Sequence, residues 1–377
     1  MESVKKNLVF SYRYLSLFLF LFLIVTMHGC TLFGAAHDDH GELKAVRSGS
    51  WKAMEALIGM VLVPGGPFMM GEVDGDIVNQ LRPNRSVTVS PFFMDDTEIT
   101  NIVYRNFIEK VSDRFEELQN EAAEGNAELD EEGNPRKRDK VEEMLTEEFI
   151  EKLKPDKDVW HKDFENTMAD IILTDYHESS AFDDFPVVGV SWESARYFAD
   201  WRTMYLNENR EQKGLPPYPR FSLPSAAQWE YAARGGKELA KYPWGGPYVR
   251  DHEGSLRANF KSGKGSYSEK ISEIGYAYTS PVTHFAPNDY GLYDMAGNVA
   301  EWTLDAYNPA AISKTWDLDP IYLNDTQPMK IIKGGSWKDI SRFLQTGAID
   351  YEHKDSTRSY IGFRCVIPYI GPQDSAR

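Results

Sequence analysis

Two carboxylates and an amide stand close together between glycines in the stretch Asp289 to Thr303, which reads DYGLYDMAGNVAEWT. Asp294, the carbonyls of Gly297 and Val299, and Glu301 offer four oxygens within eight residues. A hard cation such as calcium takes oxygen ligands of this kind. The same acidic residues can instead cap turns, where Asp and Asn are common. A second glycine turn, Lys333 to Trp337 (KGGSW), follows in the chain and carries a hydroxyl, Ser336. Cysteine chemistry has little to work with. The sequence holds two cysteines, Cys30 and Cys365. The eight histidines are scattered and form no metal-binding group by spacing.

The elements around these loops read as short strands and few helices. Met60 to Val63, Phe68 to Met70, Arg85 to Ser90 and Phe92 to Met94 have strand character, with a Pro-Gly-Gly turn after the first. A helix is expected from about Asn101, capped by Thr100 or Asn101, with Val103, Phe107 and Ile108 at helical spacing. Ser191 caps a second helix through Trp201. A third runs from Ala226 to Ala233 and is closed by Gly235 and Gly236, with Trp229 and Tyr231 read as core. Residues 109–183 are dense in acid and suggest two helical pieces, Val111–Glu124 and Lys140–Leu153. They read as a charged helical insertion, either a solvated excursion or a partner-binding arm. Trp160, Phe164 and Tyr176 favour the arm, because they give it something to bury.

The net charge of −17 disfavours nucleic-acid binding. The first 29 residues resemble a signal peptide: Lys5, Lys6 and Arg13, then an apolar run from Tyr14 to Met27. That run ends in Met-His-Gly-Cys30, which resembles a lipoprotein cleavage site and makes Cys30 the expected lipidation site. Ordinary secretion with cleavage nearby, or an uncleaved anchor, are the alternatives. Residues 30–58 then form a lipidated tether and lead-in, 59–368 the folded domain, and 369–377 a C-terminal tail.

The ordered motifs carry a family resemblance. GMVLVPGGPFMMG at Gly59–Gly71, VVGVSW at Val187–Trp192, LPSAAQWEYAARG at Leu223–Gly235, GLYDMAGNVAEWT, KGGSW and GFRCV at Gly362–Val366 resemble the formylglycine-generating enzyme (sulfatase-modifying factor) domain. The resemblance implies an α+β, C-type-lectin-like fold with short strands, few helices and long ordered loops. It implies calcium at Asp294, Gly297, Val299 and Glu301. It also implies a second, weakened metal site at Asn259, Phe260 and Tyr276, because position 274 is Ile274, with Glu273 beside it. The family's catalytic cysteines lie three and eight residues after the serine of the GGS motif. Here those positions hold Asp339 and Leu344. No copper is therefore expected, no catalytic residue is assigned, and the chain reads as a pseudoenzyme; a carboxylate and a hydrocarbon are poor partners for a soft metal. The cleft around Ser336, Asp339 and Arg364 is what remains for ligands. Cys365, in the GFRC strand, is expected to be a buried, inert thiol.

A narrower resemblance joins the lipobox-like Cys30, Gly41-Glu-Leu43, Trp51 and Phe92 to Asn101 with the charged insertion. Together they look like gliding-motility lipoproteins of the GldK (PorK) type, from the type IX secretion system. This implies a non-catalytic structural ring subunit on the periplasmic face of the outer membrane. Its partners would be other copies of the chain, a GldN/PorN-like periplasmic protein and other type IX secretion components. The paralogous GldJ type and a periplasmic enzyme of altered chemistry are the alternatives.

Overall fold

The computed structural model describes residues 57–72, 84–123, 140–163, 175–262, 271, 273–310 and 314–371. The signal peptide, Cys30, most of the tether, the acid-rich stretch 124–139, Phe164 and most of the tail lie outside the described residues.

Three small sheets organise the described residues. In the first, β1 (Met60–Val63) pairs antiparallel with β4 (Phe92–Asp95), which pairs antiparallel with β9 (Val366–Pro368). The two ends of the domain therefore meet on one central strand. The second is a hairpin of β2 (Gly66–Met70) and β3 (Arg85–Val89). The third has the order β7–β6–β5–β8, formed by β5 (Ala300–Ala306), β6 (Met329–Lys333), β7 (Asp350–His353) and β8 (Ile361–Gly362). Only the β5–β8 pairing is parallel.

Long helices cover these sheets. α1 (Asn101–Ala123) is one continuous helix that joins the helix expected from Asn101 to the piece expected at Val111–Glu124. Short helices α2 (Lys140–Glu143), α3 (Glu147–Leu153) and α4 (Val159–Asp163) follow, then α5 (Trp192–Gln212) and α6 (Ala226–Arg234). Ser191 caps α5 by accepting from Ser194 N–H. Ser225 and Gln228 form a capping box on α6, and Gly235 ends it in the left-handed conformation. The expected cap of α1 is not made by Asn101. Its amide instead donates to the carbonyls of Tyr176 and Phe182, pinning a distant loop to the helix start. Of the expected apolar positions of α1, Phe107 is buried and Ile108 packs partly buried against the core, but Val103 does not. Tyr104, Phe107 and Val111 are buried, whereas Val103 is 43% exposed. A helix repeats every 3.6 residues, so Tyr104, Phe107 and Val111 share one face, and Val103 lies about 100° away from Tyr104.

The segment 109–183 does not stand apart where it is described. Val111, Val141, Leu145, Ile150 and Leu153 join the main core with Phe107, Phe198 and Phe363. Tyr197 donates from its hydroxyl to the carbonyl of Val141, and Tyr104 does the same to Leu153. Trp160 and Tyr176, whose apolar rings favour a partner-binding arm, are both fully buried, Trp160 packing on Tyr176, Tyr278 and Trp337 of this same domain. Their apolar surface is already covered, which removes the argument for the arm that rested on them. Cys365 is buried, and burial pushes its thiol far above the usual range. It sits beside Asp95, which takes its backbone N–H and both oxygens of which accept from Arg202 on α5.

Candidate functional site

The two glycine loops are joined backbone to backbone. Gly297 N–H donates to Gly334 O, Trp337 N–H to Asn298 O, and Asn298 N–H to Asn259 O. Gly297 has φ +82°, and a Cβ there would lie 2.4 Å from the Asn259 carbonyl oxygen, so the close approach requires glycine. The Asn298 side chain fills the joint. Its oxygen accepts from Ser280 N–H and Asn259 Nδ2, and its nitrogen donates to Glu98 Oε1 at 3.1 Å. The loop ends in β5, so its last residues are strand and not open loop.

Glu301 stands on β5 between Lys333 of β6 and Gly362 of β8. Two residues beyond Gly362, Arg364 turns its guanidinium onto Glu301. Its Nε donates to Oε2 and its Nη2 to Oε1, both at 2.8 Å. Trp229 Nε1 adds a third donor to Oε2 at 2.8 Å. The other Arg364 donors reach the carbonyls of Asp95, Asp96 and Tyr293. Arg364 is completely buried, so it does not face the cleft expected around Ser336 and Asp339.

Asp294 and Glu98 lie in the same buried network. Asp294 has φ +53° and accepts the Thr283 N–H on Oδ2. Burial pushes its carboxyl up to about 7. Burial, and then the Asp294 carboxylate, hold Glu98 well above the usual carboxylate range. Three carboxylates therefore share one guanidinium. Glu98 Oε2 is buried with no hydrogen-bond partner among the described residues. Sequence reasoning missed Glu98 entirely. It sits in the short acidic run Asp95-Asp-Thr-Glu98 between a strand and a helix, where a carboxylate is unremarkable.

These residues can meet calcium's chemistry in part. The donors are all oxygen, the carboxylate charge exceeds the guanidinium charge, and a hard cation suits such an excess. Against this, both Glu301 oxygens already accept from Arg364. Among the described residues no group of three His, Cys, Asp or Glu side chains is arranged as a metal shell. A cation would thus rest on Asp294, Glu301 and the carbonyls of Gly297 and Val299. At the weakened site, Asn259 Oδ1 is buried without a hydrogen-bond partner among the described residues, while Ile274 packs against the apolar cluster that holds Phe260 and Tyr242. Tyr276 is half-buried.

The positions three and eight residues after Ser336 are filled by groups with other partners. Ser336 Oγ donates to Asp339 Oδ2 at 2.6 Å. Leu344 is fully buried with Tyr242, Leu256 and Phe260. It presses on the loop itself: a Cβ on Gly335, which has φ +66°, would lie 3.0 Å from Leu344 Cδ1. Lys333 secures the strand that delivers this loop. Its ammonium binds the carbonyls of Thr346 and Ala348 and pairs with Glu230, which also pairs with Arg234. The cavity between Gly334, Asp339, Phe343 and Ala348 is about 10 Å³, room for about one water molecule.

The family model for the sulfatase-modifying factor enzyme 1-like domain matches residues 49–369. The chain belongs to this family. An inactive Cα-formylglycine-generating enzyme 2 of Mus musculus is 31% identical over 84% of the chain and 87% of its own length. A formylglycine-generating enzyme of Thermomonospora curvata is 30% identical over 81% of the chain and 92% of its own length. The solved structure of PvdO from Pseudomonas aeruginosa covers 84% of the chain and 98% of its own, with a TM-score of 0.51 and 20% identity. That last likeness speaks to the fold alone, and it agrees with the mixed architecture described above.

Proposed function

We propose that this chain is a non-catalytic member of the family, a lipid-anchored structural subunit of a type IX secretion ring on the periplasmic face of the outer membrane. The observation that carries the non-catalytic part is the state of positions 339 and 344. One is a carboxylate bonded to Ser336, the other an aliphatic group sealed in the core. Neither side chain is a thiol, and neither suits a soft metal. A relative named as inactive supports the same reading. The anchor at Cys30, the outer-membrane address and a GldN/PorN-like partner rest on the sequence resemblance.

Native mass analysis of the gently solubilised membrane complex tests the proposal. The expected result is a very large assembly holding many copies of this chain and a second, GldN-like protein. A lone protomer, with secretion intact after deletion, would overturn it. A GldJ-type role predicts a different co-purifying set. An enzyme of altered chemistry predicts copper uptake and turnover of a thiol peptide, and neither is expected.

Calcium is part of the same proposal, held by Asp294, the Gly297 and Val299 carbonyls and Glu301. Titrating calcium into the chelator-stripped protein should raise its melting temperature by several degrees at saturating metal, because a ligand that binds only the folded state stabilises it. Asp294→Asn should reduce that gain. An unchanged melting temperature would remove calcium from the site.

A further inference from the structure

A second cavity, of about 290 Å³, lies away from the former catalytic loop and shares no lining residue with the small cavity there. It opens between α5, the segment 220–223, the end of β5, the loop 323–325 and the start of β6. Its size is at the lower end for small-ligand pockets.

Its charges are unusual for this chain. The protein carries a net charge of −17, yet the cavity gathers Arg196, Arg220 and Lys330 against Asp200 and Asp325. Asp200 is spent, because both its oxygens accept from Arg220. Asp325 is exposed at the rim. That leaves Arg196 and Lys330 as cations inside. Both lie over the ring of Trp192, Arg196 Cζ at 4.6 Å and Lys330 Nζ at 4.3 Å from its centre. The ring is fixed in turn by Nε1 donating to Thr303 O at 2.7 Å.

Lys330 is the informative residue. It is 2% exposed, and among the described residues its ammonium makes one hydrogen bond, to Asn324 O at 3.3 Å. No carboxylate among the described residues forms an ion pair with it. Buried cations are normally paired, because an unpaired charge out of water is costly. Neither does Arg196 pair with any described residue; its guanidinium lies half-buried on Trp192 with its donors unspent. Asp325 and Asp305 act on Lys330 only from beyond ion-pair distance. Two buried or half-buried cations, set by one aromatic ring and without a described carboxylate in contact, form a ready oxyanion clamp. The guanidinium fork matches a carboxylate or phosphate.

We propose that this cavity binds a small polar ligand by one oxyanion, a carboxylate or a phosphate, gripped by Arg196 and Lys330 over Trp192. Leu304 and Leu323 give the remainder of the ligand an apolar wall, and Asn324 with Asp325 gives hydroxyl groups an acceptor edge at the mouth. The inference goes beyond the ring proposal and does not depend on it.

Calorimetric titration of the purified full chain tests it, with glucuronate, inorganic phosphate and uncharged glucose as probes. Saturable binding of glucuronate or phosphate, but not glucose, is expected, and whichever of the two binds more tightly identifies the source of the oxyanion. Arg196→Gln, a partly exposed change, should weaken that binding at least tenfold without shifting the melting temperature. Lys330→Met should abolish it and, because it removes an unpaired buried charge, should not lower stability. Absence of binding by either anion in the wild type, equal binding of glucose, or unchanged affinity in Arg196→Gln would overturn the proposal.

Discussion

Arg364→Met is expected to destabilise the domain by about 3–5 kcal/mol, the usual effect of removing one partner from a buried ion pair. The guanidinium is fully buried, and its hydrogen bonds all run inward, to both oxygens of Glu301 and to three backbone carbonyls. Its removal leaves Glu301 buried with only the Trp229 indole, and it strips Glu98 and Asp294 of a nearby cation that offsets their charge. Lysine is no substitute, since a single ammonium cannot make the two-pronged contact. Arg364→Lys should therefore recover only part of the loss. The double variant Arg364→Met with Glu301→Gln should be more stable than Arg364→Met alone, because the orphaned charge is gone. Urea unfolding midpoints at constant m-value measure all three. A loss below about 1 kcal/mol for Arg364→Met would show that the pair does not organise the site in the way described.

Trp160→Ala carries the second large effect, about 3 kcal/mol or more, as expected for truncating a buried Trp. The indole touches Tyr176, Tyr278 and Trp337 at ring-centre distances of 5.1, 5.6 and 6.0 Å. Its Nε1 has no partner among the described residues, so losing that unsatisfied donor offsets a little of the cost. Lys152→Ala in the same segment should change stability by less than about 0.5 kcal/mol, because Lys152 is exposed and its pair with Glu148 is a surface pair. The contrast separates two pictures. If residues 140–163 belong to the domain core, the two variants differ widely. If they form a detachable arm, both variants are mild.

The Trp160 result also bears on how partners are found. With Trp160 and Tyr176 turned inward, an interaction surface in this region has to use the exposed side of α1 and its neighbours. The exposed residues there are mostly charged, so contacts should weaken with salt. Washing the native assembly with increasing salt is the simplest follow-up to the mass analysis.

By itself the sequence determined the family, the order of its motifs, the first four strands and two of the helix caps. Those features are local. A Pro-Gly-Gly turn, a Ser before a helix or a Gly after one acts through residues within one turn of itself, so reading along the chain finds them. The replacement of the two thiol positions by Asp339 and Leu344 is local too, since counting from Ser336 suffices. Tertiary structure alone decided what the conspicuous carboxylates do. Glu301 is committed to Arg364, 63 residues away, and Glu98 reaches Asn298 across 200 residues. No spacing rule links such pairs, because they meet only where the loops that follow β4 and β8 fold onto the start of β5 and the loop that enters it. The same holds for the acid-rich segment. Its charge density pointed outward into solvent, yet one apolar face of α1 and the indole of Trp160 draw its described parts into the core. Burial of a few large apolar groups outweighs many solvated charges, which keep their water on the opposite face.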